Sequence, residues 1–174
     1  LEQEKQDVSS LLLLGTEEAT MDDKGRVLVG TKLRKRLGAN FVMTLGANGS
    51  IHAFPLREWN VLAGDLISRD PRQKSRQDYA RYLFGNAADE LDFDTQGRVV
   101  IPKKLRELAE IEDKVVIVGM GDYLEIWNKT VYSHAQKHAP GQQDSLEQML
   151  AEPRFKPGQA VNAIQLSVEP GGLN

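Results

Sequence analysis

Two short phrases hold the residues with the most chemical potential. Asp22-Asp23-Lys24-Gly25-Arg26 and Asp94-Thr95-Gln96-Gly97-Arg98 each set a carboxylate four positions before a guanidinium, with a glycine between them. A guanidinium can grip a phosphate, or bond two acceptors on guanine in a major groove. It can instead close an ion pair with its own aspartate, Asp22 with Arg26 or Asp94 with Arg98, and merely fix a turn. A carboxylate facing phosphates is repelled, so Asp22 and Asp94 read as turn-fixing residues. Gly25 and Gly97 read as turn glycines that tolerate positive φ. Around the first phrase stand Lys24, Lys32, Arg34, Lys35 and Arg36. They would add phosphate contacts, which give affinity and salt dependence but no sequence readout.

Other constellations are weaker. His134 and His138 have the i, i+4 spacing of metal ligands, but no third ligand is evident and no metal site is assigned. "GMGD" at Gly119 lacks the third glycine and following helix of a dinucleotide fingerprint, so it reads as a hairpin turn. "NGS" at Asn48 and "NKT" at Asn128 match a glycosylation pattern that a cytoplasmic chain would not use. There is no P-loop, no nucleophile elbow and no His–carboxylate arrangement that stands out. No catalytic residue, cofactor or small-molecule substrate is therefore assigned, and the chain is not read as an enzyme. The run Arg72, Lys74, Arg76 and Arg81 reads as a solvated helix face, and Trp59 and Trp127 as core anchors.

The composition fits these readings. A chain of 174 residues that is 40% hydrophobic can bury a core, and at 6% aromatic that core is mainly aliphatic. With no cysteine, disulfides and thiolate chemistry are excluded and a reducing cytoplasm fits. No apolar run approaches a membrane span, and Leu11 to Leu14 lacks the flanks of a signal peptide. The net charge of −3 does not argue against nucleic acid, because the basic residues are clustered.

The elements that must position the two phrases are themselves duplicated. At an offset of 72, Gly97 falls on Gly25, Arg98 on Arg26, Val99 on Val27, Leu105 on Leu33 and Arg106 on Arg34. After one inserted residue, Gly119 falls on Gly46, Leu124 on Ile51 and Trp127 on Phe54. Each copy predicts a strand ending near the Asp, a turn, a short strand, a short helix, a hairpin and a closing helix. Thr31 is a plausible N-cap for the first short helix, and Pro102 suits the first turn of the second. The first copy carries an additional helix on which Tyr79, Tyr82 and Leu83 share a face. One copy has too little core to stand alone, so the two should complete one barrel-like sheet. The expected divisions are an N-terminal extension (1–11), a first repeat with the additional helix (12–85), a second repeat (86–138) and a flexible tail (139–174). One helical turn is expected around Leu146 to Leu150.

"MDDKGRVLV", "PLREW", "YARYLFGNAADELD", "LDFDTQGRVVIPKKLRELAEI" and "VVIVGMGDYLEIW" together resemble the MraZ family. That family belongs to the AbrB-like (SpoVT-AbrB) class. The resemblance implies an α+β fold, a swapped-hairpin β-barrel with peripheral helices. It implies a transcriptional repressor that binds G-rich direct repeats in double-stranded DNA upstream of the division and cell-wall gene cluster. It further implies a ring-shaped homo-oligomer and a cytoplasmic, nucleoid-associated location with no membrane. The family's Asp-x-x-x-Arg motif carries over to Asp22 with Arg26 and to Asp94 with Arg98, and favours DNA contact for Arg26. Gly30 departs from the family's usual proline, which Pro102 retains, and this loosens the turn into the first basic helix.

The copies differ in charge. Lys32, Arg34, Lys35 and Arg36 follow Arg26, whereas Lys103, Lys104 and Arg106 after Arg98 are mixed with Glu107, Glu110, Glu112 and Asp113. The first copy therefore offers the better DNA surface, and Arg98 reads as architectural. The competing function is an antitoxin-like or other protein-interaction module of the AbrB-like class, in which a tail grips a partner.

Overall fold

The computed structural model describes residues 12–70 and 72–137. The N-terminal extension, the tail and the helical turn expected at Leu146 to Leu150 lie outside the described residues. The first copy contains β1 (Leu13–Thr20), β2 (Arg26–Leu28), α1 (Thr31–Leu37), β3 (Phe41–Leu45), β4 (Ile51–Phe54), α2 (Leu56–Ser68) and α3 (Lys74–Gly85). The second contains β5 (Ala88–Leu91), β6 (Arg98–Val100), α4 (Lys103–Leu108), β7 (Lys114–Gly121), β8 (Leu124–Asn128) and α5 (Lys129–Lys137).

The strands exchange between copies. The main sheet is antiparallel with order β1-β7-β8-β4-β3-β5, and β2 pairs with β6 in a two-stranded ribbon. Each copy supplies a hairpin, β3–β4 or β7–β8, and the hairpins meet along β4 and β8. Each copy's first strand then adds to the other copy's hairpin, β1 to β7 and β5 to β3. This is the swapped α+β arrangement that the resemblance implied. An isolated bridge between Met21 and Val27 carries the end of β1 into the ribbon.

Repeat symmetry also organises the core. Leu33 and Leu105, Val27 and Val99, Val29 and Ile101, Leu37 and Ala109, Ile51 and Leu124, and Ala53 and Ile126 are matched pairs in one buried cluster. This cluster lies between one face of the sheet and the layer made by the ribbon, α1 and α4. Truncating Leu33 or Leu105 to alanine would cost on the order of 2–5 kcal/mol, because neither site opens to solvent. The opposite face is also covered. All five residues of β3 and of β8 are buried, because helices pack where an ordinary antiparallel sheet would meet water. Trp59 and Trp127 belong to this second layer rather than to the main cluster. Trp59 packs on Phe54 and Phe84, and Trp127 on Tyr132 of α5. On α3, Leu83 is buried and Tyr82 donates to the Gly46 carbonyl at 2.9 Å, while Tyr79 is largely exposed.

Two helix starts differ from expectation. Gly30, not Thr31, is the N-cap of α1, and the Thr31 hydroxyl accepts a bond from Arg34 Nη2 at 3.1 Å. Pro102 sits at the N-cap of α4, just before the first turn. A proline there has its φ of −53° set by the ring and carries no N–H to satisfy ahead of the helix.

Candidate nucleic-acid interface

The two Asp–Arg phrases form the same turn. Asp22 Oδ1 accepts from the backbone N–H of Lys24 at 3.0 Å and of Arg26 at 2.9 Å, and Oδ2 accepts from Arg26 Nε at 2.7 Å. Asp94 repeats this with Gln96 at 3.0 Å, Arg98 N at 2.9 Å and Arg98 Nε at 2.8 Å. The Gly25 and Gly97 amides each close the turn onto the aspartate carbonyl at 2.9 Å, with φ of +74° and +82°. Both carboxyls are held below the ordinary value of 3.8, first by the backbone N–H of Arg26 or Arg98, against some desolvation, with help from the same guanidinium. The ionised carboxylate is thus part of the turn, and each aspartate orients the arginine four residues on.

These turns lie at opposite ends of the β2–β6 ribbon. Val27 faces Val99 across the pairing, with Arg26 opposite Val100 and Leu28 opposite Arg98. Alternation along a strand puts Val27 and Val99 inward and the other four outward. Leu28 and Val100 are 54% and 50% exposed, and the arginine side chains 26% and 28%. The outer face is therefore a small, approximately twofold patch of two arginines and two apolar side chains. It is as well formed in the second copy as in the first.

The surrounding cations divide. Lys24, Lys32 and Lys35 are exposed. Arg36 is part-buried and donates from Nη1 to the Leu12 carbonyl. Arg34 is part-buried too, with its guanidinium against Gly97 of the other copy. Arg34, Lys35 and Arg36 also occupy the last turn of α1, where positive charge complements the helix carbonyls. Just before the additional helix Arg72 pairs with Asp70; on it Arg81 pairs with Asp78, and Arg76 Nε bonds the Leu66 carbonyl near the end of α2 at 2.8 Å. Arg76 is thus a helix-end clamp as well as a surface charge. His134 lies on α5, and its sequence companion His138 lies outside the described residues. Among the described residues no group of three His, Asp or Glu side chains could hold a metal ion, and no helix is long and apolar enough to cross a membrane.

A polar group under the helices escaped sequence reasoning. Glu125, 7% exposed, accepts from Trp127 Nε1 at 2.8 Å and Asn48 Nδ2 at 3.2 Å. His52 Nε2 stands 3.4 Å from Glu125 Oε1. This contact is the main reason the Glu125 carboxyl lies below its ordinary 4.5, with burial opposing. Asn48 also accepts from Ser50 N and Oγ, and Asn128 Oδ1 caps α5 through Thr130 N at 2.8 Å. Both "glycosylation" asparagines thus use their amides within the fold.

The sequence pattern of the family described as "MraZ protein, putative antitoxin-like" matches residues 12–81 and again 83–152. The chain belongs to the MraZ family. The transcriptional regulator MraZ of Pediococcus pentosaceus is 39% identical over 118 residues, 68% of this chain and 82% of that protein. That of Halothermothrix orenii is 37% identical over 117 residues, 67% of this chain and 81% of the relative. That of Pelotomaculum thermopropionicum is 32% identical over 141 residues, 81% of this chain and 97% of the relative.

Within this MraZ chain, the Gly30 departure has a structural counterweight. Gly30 has φ −59° and ψ 147°, close to the −53° and 135° of Pro102. Its N–H, which proline would lack, donates to Glu17 Oε2 at 2.8 Å, and the carboxylate fills the space where a Cβ would be. The turn into α1 is therefore held by a hydrogen bond to β1 where Pro102 has a ring. Nothing in the sequence spacing pointed to Glu17, thirteen residues away.

Proposed function

We propose that this MraZ chain is a sequence-specific DNA-binding repressor that reads G-rich direct repeats upstream of the division and cell-wall gene cluster. The observation that carries the reading is the ribbon face, where an aspartate-oriented arginine stands at each end of an exposed antiparallel pair. A major groove admits a two-stranded ribbon, and an arginine is the commonest partner of guanine. Arg26 is the principal base or phosphate contact, with Lys24, Lys32 and Lys35 on phosphates. Arg98 stands in an equivalent turn, followed in sequence by acidic residues although Arg34 of the first copy lies against its Gly97, and is the lesser contact. Asp22, Asp94, Gly25 and Gly97 hold the turns. The protein works as a ring-shaped homo-oligomer in the cytoplasm, on the nucleoid. Several weak box contacts then add through high effective concentration.

The test is binding to duplexes with and without G-rich direct repeats across a salt series, with particle size by light scattering. Preference for repeats, and affinity falling steeply with salt, are expected. Equal binding to all duplexes at every salt would remove the reading, and a monomer by light scattering would remove its multivalent part. The second reading, an antitoxin-like interaction module, is favoured by the description of the matching family as antitoxin-like. It predicts stable capture of a protein partner and no repeat preference.

A further inference from the structure

Arg34 and Arg106 occupy matched positions in α1 and α4, and each reaches across to the opposite copy. The Arg106 guanidinium lies on the bare Cα of Gly25, where an added Cβ would come within 2.7 Å of Cζ. The Arg34 guanidinium lies the same way on Gly97. Backbone bonds follow the crossover: Ile101 N donates to the Gly25 carbonyl at 2.9 Å, and Val29 N to the Gly97 carbonyl at 3.2 Å. Arg106 Nε bonds the Ile101 carbonyl at 3.0 Å, so side chain and backbone hold one unit. The Arg34 clamp is the looser one, since its buried Nε finds no acceptor among the described residues.

We infer that Arg34 and Arg106 are positioning residues that clamp the DNA-binding turns of the opposite copy, so that Arg106 sets Arg26 and Arg34 sets Arg98. The inference rests on the DNA-binding reading for its purpose, but not for its geometry. Gly25 and Gly97 are then required twice, for positive φ and for a face on which a planar cation can lie. A compact ammonium cannot cover that face, so lysine is no substitute. Arg34, which its sequence neighbourhood marks as a phosphate contact, instead lays its guanidinium on Gly97.

The deciding experiment is amide hydrogen exchange on free Arg106→Met, Arg34→Met and the charge-conserving Arg106→Lys. Arg106→Met should raise exchange at Gly25 and Ile101 by about tenfold or more while Gly97 and Val29 hold, and Arg34→Met should give the mirror pattern. A general loss of strength in the fold would raise all four sites together. That result, or full protection in Arg106→Lys, would overturn the clamp. A second measurement uses duplex DNA with G-rich repeats. Arg34→Met should lower affinity without changing the slope of log K against log salt, whereas Lys35→Ala should reduce the slope by about 0.9. An equal slope change in Arg34→Met, with exchange at Gly97 unaltered, would make Arg34 an ordinary phosphate contact. If wild type shows no repeat preference at all, the DNA reading fails while the exchange pattern still decides the clamp.

Discussion

Under the proposed function, Asp22 holds the turn and Arg26 meets DNA. The carboxylate takes the Nε side of the guanidinium and two backbone N–H groups, which leaves Nη1 without a partner among the described residues. An arginine preset in this way loses less side-chain freedom on meeting DNA than a free one would. Arg26→Ala should weaken repeat binding by about 1–3 kcal/mol per site, multiplied by the number of boxes engaged, with the thermal midpoint nearly unchanged. If Arg98→Ala were the more damaging in the same titration, the roles given to the two copies would be reversed. Glu125 supplies the pH prediction at this scale. A carboxylate whose folded pKa is depressed adds stability that is complete above its ordinary value and is lost as pH falls through the folded one. Glu125→Gln should therefore be less stable than wild type at pH 7. Its deficit should narrow as pH falls below 4.5. Thermal melts between pH 7 and 3 show this, and a constant deficit would mean the ionised form contributes nothing.

At the scale of single elements, the entry to α1 separates what a repeat reveals from what it hides. Gly30→Pro matches the backbone angles yet removes the N–H bonded to Glu17 and drives a ring into that carboxylate. It should cost about 1–3 kcal/mol by chemical denaturation. Glu17→Ala with Gly30→Pro should recover most of the loss, because the proline then only restricts the unfolded chain. On the ribbon, Leu28→Ser removes an exposed apolar group and should leave stability within about 0.5 kcal/mol. Repeat affinity should fall more than non-repeat affinity, as expected where a side chain meets a thymine methyl. Strands, turns and short helices were legible because both copies carry the pattern, and Val27 with Val99 fixes inward and outward faces by alternation alone. The inward turning of Arg34 and Arg36 was not legible, since composition gives charge but not direction. Arg106 was recoverable in part, as the repeat partner of Arg34, yet its contact with Gly25 arises only once the copies have crossed.

For the molecule as a whole, the exchange of first strands makes the two repeats one folding unit. The boundary at 85 separates copies of a sequence, but β1 has its eight-residue pairing with β7, and β5 pairs with β3. A fragment of residues 12–85 should therefore be unfolded at low concentration or form a dimer that mimics the second copy. Circular dichroism with sedimentation would show which, and a stably folded monomer would contradict the account. The same crossing has a consequence for synthesis. β1 leaves the ribosome first and must wait for β7, about a hundred residues later, before its backbone is satisfied. The turn at Asp22 waits as well, because Arg106 and Ile101 complete it. A chain released before its second half is finished carries the sequence of the first turn but not its completed form, so under the proposed function incomplete products would not compete with finished protein for DNA.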